Sequence, residues 1–500
     1  MKRLTFLFIL TTLLLESCSQ VTAIPPATET ATPTAIPSRT PPPTSTAIPT
    51  ATPYPPLQTQ GPYLLYTRDY KSLTIVDADG SGRRQIQLPG DGYTVWEFRN
   101  AVSPNGKWIA YLTGSVDEPY DLTLNILNLK DETSLSITRL IAPGFPQNLE
   151  PVTKTAVFTE YDTDCSNDLK CQLRITESAF KWGIKSLSWS PDSQFLVFAA
   201  QIDGPSSDLY IYDVTTQSIR RLTNELENIS SIEWAPNGKK ILYTTSQPGT
   251  IYVMDNIRVA DPQSNSIQNP KKIDGGLFWS SEGWITDDSF LIWSGGEGGP
   301  PQDFRYINVE NQQVKVIWKY EAEINSFFHE LHGMVFALSQ EEIDYAQIPL
   351  EQGTYFVNIK GKITKLSTEL YIPSQSQESF TDSFLAYKDG SIFDININES
   401  DILLINENVE LELSPHISPD KKWVFVQGKE NLQLFSEDFQ LIKSWDFRNA
   451  GIFWRSDTLG AFVWATKGLY YIPIPDGEPI WLSDCKDKGC PDFNDGVWLP

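Results

Sequence analysis

The sequence predicts an all-β protein whose main domain is a single β-propeller of four-stranded blades. The first observation is a short phrase in which an aromatic or branched residue precedes a Ser-Pro-Asp-like turn and an apolar strand. Six copies occupy residues 102–111, 189–198, 234–243, 284–293, 417–426 and 454–463. The second observation is their spacing, since positions 189, 234 and 284 lie 45 and 50 residues apart. A period of roughly 40 to 50 residues with several strands per period is typical of one propeller blade.

Each copy contains the chemistry of two strands joined by a tight turn. Proline sets φ at the first corner, Asp or Asn accepts backbone hydrogen bonds, and Gly supplies positive φ. A third strand and a return follow, as at 209–213 and 219–223, and they alternate apolar and polar residues with a period of two. We find no long amphipathic helix. The pattern therefore predicts blades built from antiparallel strands.

The number of blades follows from the gaps between copies. The gaps of 87 residues (102 to 189) and 133 residues (284 to 417) are close to two and three periods, and weaker copies begin near 327 and 378. Residues 63–88 supply three further strands, and Gly496–Leu499 can supply a fourth that closes the ring. Counting every copy gives nine blades, above the usual four to eight. We therefore predict eight blades, with seven as the next choice.

These phrases resemble the TolB-like and WD-like propeller repeats, whose signature is a Ser-Pro-Asp-Gly turn before an Ile-Ala-Phe-type strand. The resemblance covers nearly everything from Gly61 to Leu482. It implies the fold, but blades of this kind serve scaffolds, receptors and enzyme accessory domains alike. The aromatic residues at the recurring position, Trp189, Trp234, Trp284 and Trp454, are predicted to lie in the core between blades.

The N-terminus has the pattern of an export signal. Lys2 and Arg3 precede an apolar run from Leu4 to Leu15, which is too short to cross a bilayer core of about 30 Å as a helix. The run ends in Leu-Glu-Ser-Cys, which resembles a bacterial lipobox. The resemblance implies a lipoprotein-type signal segment at residues 1–18 that ends at Cys18, and cleavage before Cys18, which becomes the lipidated N-terminus of the mature protein. The alternative is an ordinary secretory signal with an incidental cysteine.

Residues 19–60 are predicted to form a disordered linker ahead of a propeller domain at 61–500. The segment contains eleven Pro and eleven Thr, with Glu29 and Arg39 as its only charged residues. Such a composition buries too little apolar area to offset the entropy of ordering, and its prolines favour extended conformations. We interpret it as a spacer; the alternative is a glycosylated stalk.

The remaining four cysteines form two couples that are close in sequence. We predict disulfide bonds between Cys165 and Cys171 and between Cys485 and Cys490, as suits a chain outside the reducing cytoplasm. The alternative is a four-thiolate zinc site, but the couples have five and four intervening residues, and the first exceeds the usual two to four.

The formal net charge of −24 limits the classes of partner. Nucleic-acid binding needs a basic surface, so we expect no nucleic acid, and the same charge argues against electrostatic docking on anionic lipid. We expect a monomer that needs no cofactor, and whose partner is an envelope protein, a peptide or a glycan.

Few residues offer catalytic or metal-binding chemistry. The three histidines are His329, His332 and His416, and the first two fall where other copies carry the Ser-Pro-Asp turn, so we interpret them as turn residues. Residues 162–168 resemble the start of a calcium loop but lack Gly at the sixth position and the closing Glu, which favours a plain loop. There is no Gly-x-Ser-x-Gly elbow. We therefore predict no catalytic residue and no metal site.

Two functions remain open at this point. The first is a lipid-anchored propeller of the bacterial cell envelope that acts outside the cytoplasmic membrane as a non-catalytic binding or assembly module. The second is a propeller enzyme, a polysaccharide lyase or glycosidase, that uses channel carboxylates or the histidines. Convergence of three or more of these groups in one funnel would favour the enzyme, and their dispersal would favour the binding module.

Overall fold

The computed structural model describes most of the chain from Pro56 to Pro500. The described residues are 56–58, 61–67, 69–95, 98–114, 121–141, 186–202, 207–224, 228–246, 254–268, 270, 273–295, 301–319, 326–329, 333–374, 382–407, 415–455, 457–465, 468–483 and 496–500. All of them belong to one compact unit, Tyr54–Pro500.

The described strands form one β-propeller, and every strand pairs antiparallel with its neighbours in the blade. The strands of blades 1 to 3, from the inner to the outer edge, are β35 (Gly496–Leu499), β1 (Tyr63–Thr67), β2 (Ser72–Asp77) and β3 (Arg83–Gln87); β4 (Tyr93–Thr94), β5 (Trp108–Thr113), β6 (Thr123–Asn128) and β7 (Ser134–Arg139); and β8 (Leu187–Trp189), β9 (Phe195–Ala200), β10 (Asp208–Asp213) and β11 (Ser218–Arg221).

Blades 4 and 5 share one long strand, so that together they form a seven-stranded sheet. Their strands are β12 (Asn228–Trp234), β13 (Ile241–Ser246), β14 (Met254–Ala260), the shared β15 (Asp274–Thr286), β16 (Ser289–Gly295), β17 (Pro301–Asn308) and β18 (Gln313–Trp318). The first part of β15 pairs with β14 and the rest pairs with β16. The shared strand is therefore the outer strand of blade 4 and continues as the inner strand of blade 5.

Blades 6 to 9 repeat the four-stranded pattern. Their strands, again from the inner to the outer edge, are β19 (Ser326–His329), β20 (Gly333–Leu338), β21 (Gly353–Asn358) and β22 (Ile363–Ser367); β23 (Ile372–Pro373), β24 (Ser383–Lys388), β25 (Ser391–Asn396) and β26 (Ile402–Glu407); β27 (His416–Ile417), β28 (Trp423–Gln427), β29 (Leu432–Ser436) and β30 (Leu441–Trp445); and β31 (Gly451–Trp454), β32 (Gly460–Ala465), β33 (Gly468–Pro473) and β34 (Ile480–Ser483).

The described residues thus form nine blades, and our prediction of eight or seven was wrong. The ring closes as the sequence indicates, because β35 pairs antiparallel with β1. The described residues of the 87-residue gap, however, form a single blade. Blades 2 and 3 bond directly to each other, since the amide of Gln201 donates to the carbonyl of Leu140. Each of the eight copies of the phrase, weak ones included, falls in a separate blade.

The Ser-Pro-Asp turn has the same internal hydrogen bonds in blades 2, 3 and 8. In blade 3 the Ser190 hydroxyl donates to Asp192 at 2.6 Å and accepts from the amide of Phe195 at 2.9 Å. The fourth turn residue is left-handed whatever its type, with φ of 66° at Gly106 and 63° at Lys421. The bonds of Ser and Asp fix the turn, and positive φ is imposed even where Gly is absent.

The recurring tryptophans pack between blades, as predicted. Trp189, Trp234 and Trp454 are buried, while Trp284 is half-buried and packs edge-on against Phe290. The indole N–H of Trp234 also donates to the carbonyl of Ser188, in the neighbouring blade, at 3.0 Å. Trp189 bonds Ala101 and Trp454 bonds His416 in the same way. Trp189, Trp234 and Trp454 therefore supply both apolar contact and a hydrogen bond across the interface, whereas Trp284 supplies apolar contact alone.

Helices are few in the described part. A one-turn α1 (Phe98–Ala101) interrupts the inner edge of blade 2, a 3-10 turn spans Pro89–Asp91, and α2 (Gln340–Ala346) connects β20 to β21. Ser339 caps α2 with a reciprocal pair of bonds to Glu342. Among the described residues there is no helix with the length and apolar character that crossing a membrane requires.

Candidate docking surface

The two histidines that lie on described strands belong to different blades. His329 ends β19 of blade 6 and His416 begins β27 of blade 8, so a whole blade separates them; His332 lies outside the described residues. Burial lowers the pKa of His416 to about 4, so its imidazole is neutral at pH 7. Within the described ranges no three His, Cys, Asp or Glu side chains are placed to hold a metal ion.

The other predicted site residues cannot be located. Cys18, Cys165, Cys171, Cys485 and Cys490 all lie outside the described residues, as do residues 162–168. The disulfide bonds and the lipidation therefore remain predictions. Pro56, Leu57 and Gln58, which the composition assigns to the linker, contact blade 1, where the amide of Gln58 donates to Asp77 at 3.0 Å.

Two half-buried carboxylates with raised pKa values lie in different blades. Glu233, on β12, has its pKa raised by burial, which a 3.4 Å hydrogen bond from the amide of Trp284 opposes. Asp394, on β25, has its pKa raised by burial against a hydrogen bond from Ser383. They belong to blades 4 and 7. Raised carboxyl pKa values can mark an active site, but the two groups lie too far apart in the fold to act as a pair.

A cation and two aromatic rings meet where the ring closes. The guanidinium of Arg99, exposed on α1, lies 5.4 Å from the centroid of the Phe453 ring. Phe453 stacks on Trp498 with ring centroids 5.8 Å apart. The three residues come from blades 2, 9 and 1 in turn, so this group ties the inner ends of the closing blades together.

The most distinctive surface lies on the outer strands of blades 7, 8 and 9. Blade 7 exposes three consecutive apolar side chains on β26: Ile402 is 37% exposed, Leu403 53% and Leu404 46%. The outer strands of the next two blades continue this pattern with Leu441 and Ile442 on β30 and Ile480 and Trp481 on β34. We call these seven residues the apolar rim. Single exposed apolar residues are ordinary, whereas a set on the outer strands of three consecutive blades marks an interaction surface.

The outer strands of blades 1 and 3 are built differently. Arg83 and Arg84 on β3 reach both neighbouring blades: Arg83 donates to the carbonyl of Leu482 at 3.2 Å, and Arg84 donates to the carbonyl of Lys130 at 3.3 Å. On β11, Arg220 donates to the carbonyl of Ser264 in blade 4 at 2.6 Å. Charged side chains protect these edges, as is usual for exposed strands, and a single apolar side chain, Ile219 at 37%, is exposed on β11.

The rim lies beside a strongly acidic stretch of sequence. Residues 389–420 contain eight Asp or Glu and no Lys or Arg, and β26 lies within this range. Glu399 and Asp401 precede the strand and Glu407 ends it, and all three are exposed. An apolar strand with acidic ends is complementary to a partner that is apolar and basic.

This surface was not predicted from the sequence, although one short run of residues indicates part of it. Residues 402–405 read Ile-Leu-Leu-Ile, an unbroken apolar run where an outer strand alternates or carries charge. Placing that run on the outer edge requires the blade register. The register was uncertain because the phrase near 378 is one of the weakest copies.

No protein-family model matches the chain. Among solved structures, a eukaryotic initiation factor is 12% identical with a TM-score of 0.49, over 88% of this chain and 99% of that one. The dihydro-heme d1 dehydrogenase NirN is 9% identical with a TM-score of 0.45, over 87% and 76%. AztD of Citrobacter koseri is 9% identical with a TM-score of 0.40, over 88% and 98%. These likenesses concern the fold alone, which serves enzymes and other proteins.

Proposed function

We propose that this protein is an exported, lipid-anchored β-propeller that acts as a non-catalytic binding or assembly module in the bacterial cell envelope. The observation that carries the proposal is the apolar rim. Exposing seven apolar side chains on the outer strands of three consecutive blades costs solubility unless a partner covers them. The partner class that fits such a surface is a protein or peptide, because a glycan would require more polar groups beside the rings.

The anchoring part of the proposal rests on sequence. The basic and apolar residues before Cys18 resemble a lipoprotein signal, and the Pro/Thr-rich residues 19–60 would serve as a spacer between the lipid and the propeller. The couples Cys165 with Cys171 and Cys485 with Cys490 suit an oxidising compartment. These three features are independent of one another and agree on export.

The anchoring proposal is tested by expressing the full chain and its Cys18→Ala variant in a bacterial host fed a labelled fatty acid. We expect the parent to incorporate the label and to sediment with membranes, and the variant to lose the label and the sedimentation. Equal membrane association of the two proteins after signal cleavage would refute the lipid anchor.

The binding-module proposal is tested by assaying the purified full chain against a panel of polysaccharides and glycosides. We expect no turnover above that of a heat-denatured control. If turnover occurs and is lost in Glu233→Gln or Asp394→Asn, the protein is an enzyme and the non-catalytic assignment is wrong.

A further inference from the structure

We propose that β26 accepts an extended protein segment of alternating apolar and basic residues, which pairs with it as a fifth strand of blade 7. This inference rests on the proposed binding function and specifies its partner. In blade 7 an edge strand, exposed apolar side chains and flanking acidic residues coincide.

Among the described residues, β26 is the edge strand of blade 7. It pairs only with β25 there, and the pairing shifts register between Ile392 and Phe393. The shift leaves residues 402–404 in regular register with β25 on the inner side. No described strand pairs with the backbone groups that point outward from this regular stretch, and an edge of this kind has the geometry of strand addition.

The side chains of β26 add apolar contact on both faces of the blade. Successive residues of a strand point to opposite faces, so Ile402 and Leu404 lie on one face and Leu403 on the other. All three are exposed. Asn406 reaches blade 8, where it donates to Gln433 at 2.5 Å, which fixes the far end of the strand to the body of the propeller. An added strand would thus find a firm template with apolar positions on either face.

The charges around β26 select a basic partner and disfavour a second copy. If two copies of β26 paired antiparallel about Leu404, Asp401 of each would face Glu407 of the other. Like charges directly opposite each other destabilise a strand pair. A segment that places Lys or Arg at those positions would replace the repulsion with attraction.

The proposal is tested with fluorescent peptides added to the full-length protein, with anisotropy as the readout. The probe is the peptide Lys-Val-Lys-Val-Lys-Val-Lys. One control replaces every Lys with Glu, and a second replaces the central Val with Pro, which removes a backbone donor and disfavours the extended pairing. We expect saturable binding of the Lys peptide, no binding of the Glu peptide, and binding of the Pro peptide weakened by about tenfold or more.

Variants of the protein locate the site. Leu403→Lys should weaken binding of the Lys peptide by about tenfold, because it removes apolar contact and repels the probe. Val316→Lys is the matched control, since Val316 is 45% exposed on the outer strand of blade 5, away from the rim. It should change affinity by less than about twofold.

Three results would overturn the proposal. Equal loss in Leu403→Lys and Val316→Lys would show nonspecific attraction to an acidic protein, and undiminished binding of the Pro peptide would exclude strand pairing. A dimer in sedimentation that Leu403→Lys dissociates would make a second copy the occupant. The tests of lipid anchoring and of polysaccharide turnover use none of these probes, so failure here is distinguishable from failure of the proposed function.

Discussion

The outer strands of blade 1 and blade 7 occupy equivalent places in the propeller and are finished in opposite ways. On β3, Arg83 and Arg84 bond to carbonyls of blades 9 and 2, and these bonds join the outer parts of three blades. On β26, Ile402, Leu403 and Leu404 are exposed and the flanking charges are acidic. An outer strand is a liability that the fold must manage at every blade. This chain therefore protects some outer strands with arginine side chains and leaves others apolar.

The inner strands of blades 3, 4 and 9 are alike in carrying a buried tryptophan that bonds to the preceding blade. Trp234→Ala should destabilise the protein by roughly 3–5 kcal/mol, because it opens a cavity between blades 3 and 4 and removes the bond to Ser188. Trp481→Ala is the matched control on the rim, where the side chain is 59% exposed, and should cost less than about 0.5 kcal/mol. Urea denaturation of both variants measures the two costs. Equal losses would contradict the distinction between a buried inner ring and an exposed rim.

The arginine edges should contribute stability that the apolar edge does not. Arg220→Ala should cost about 1–2 kcal/mol, since it removes hydrogen bonds to the carbonyls of Pro262 and Ser264 and exposes the surface under the side chain. Leu403→Lys should change the free energy of unfolding by less than about 0.5 kcal/mol. Thermal and urea unfolding of the two variants give the comparison. A large loss of unfolding free energy in Leu403→Lys would mean that this leucine stabilises the fold and is not a free contact for a partner.

Much of this architecture could be predicted from sequence, because the phrase around each Ser-Pro-Asp turn is local. The turn at Ser190 and Asp192 bonds within six residues, and the aromatic residue before it packs at an inner strand wherever it occurs. The closing strand, Gly496–Leu499, was also found. The predicted number of eight or seven blades was wrong. Propellers usually have four to eight blades, but in this protein every group of strands that the sequence indicates forms a blade, which gives nine.

The candidate surface could not be predicted in the same way. Whether Leu403 is exposed depends on its position at the outer edge, and that depends on the register of β26 with β25 and on the bulge between them. The Arg83 and Arg220 contacts join residues of different blades, whose proximity no local pattern specifies. Hydrogen bonds between side chains and carbonyls of different blades depend on how the blades are arranged in the closed ring.

The smallest effect concerns Asp394, which lies opposite Leu403 in the register of blade 7. Its Oδ1 is buried without a hydrogen-bond partner, and burial raises its pKa, with a hydrogen bond from Ser383 opposing. Because the pKa of this carboxyl is higher in the folded state than its ordinary value of 3.8, the protein loses stability as the pH rises from 3.8 through the pKa of the folded state. Asp394→Leu should therefore stabilise the protein by about 1 kcal/mol above that range.

The gain in Asp394→Leu should disappear as the pH falls toward 3.8, where the wild-type carboxyl is protonated in both states. Urea denaturation of parent and variant at a series of pH values from 4 to 8 measures the difference. A gain that stays constant across the series would show that packing, and not ionisation, is its cause.

The central claim, that β26 is an apolar edge that accepts a strand while the edge of β3 is guarded by arginines, is tested most directly by hydrogen–deuterium exchange of the full-length protein with and without the Lys-Val-Lys-Val-Lys-Val-Lys peptide. We expect saturating peptide to slow exchange of amides in residues 402–407, because added strand pairing protects outward-pointing N–H groups, and to leave residues 83–87 unchanged. Protection of both strands, or of neither while the peptide is bound, would contradict the account.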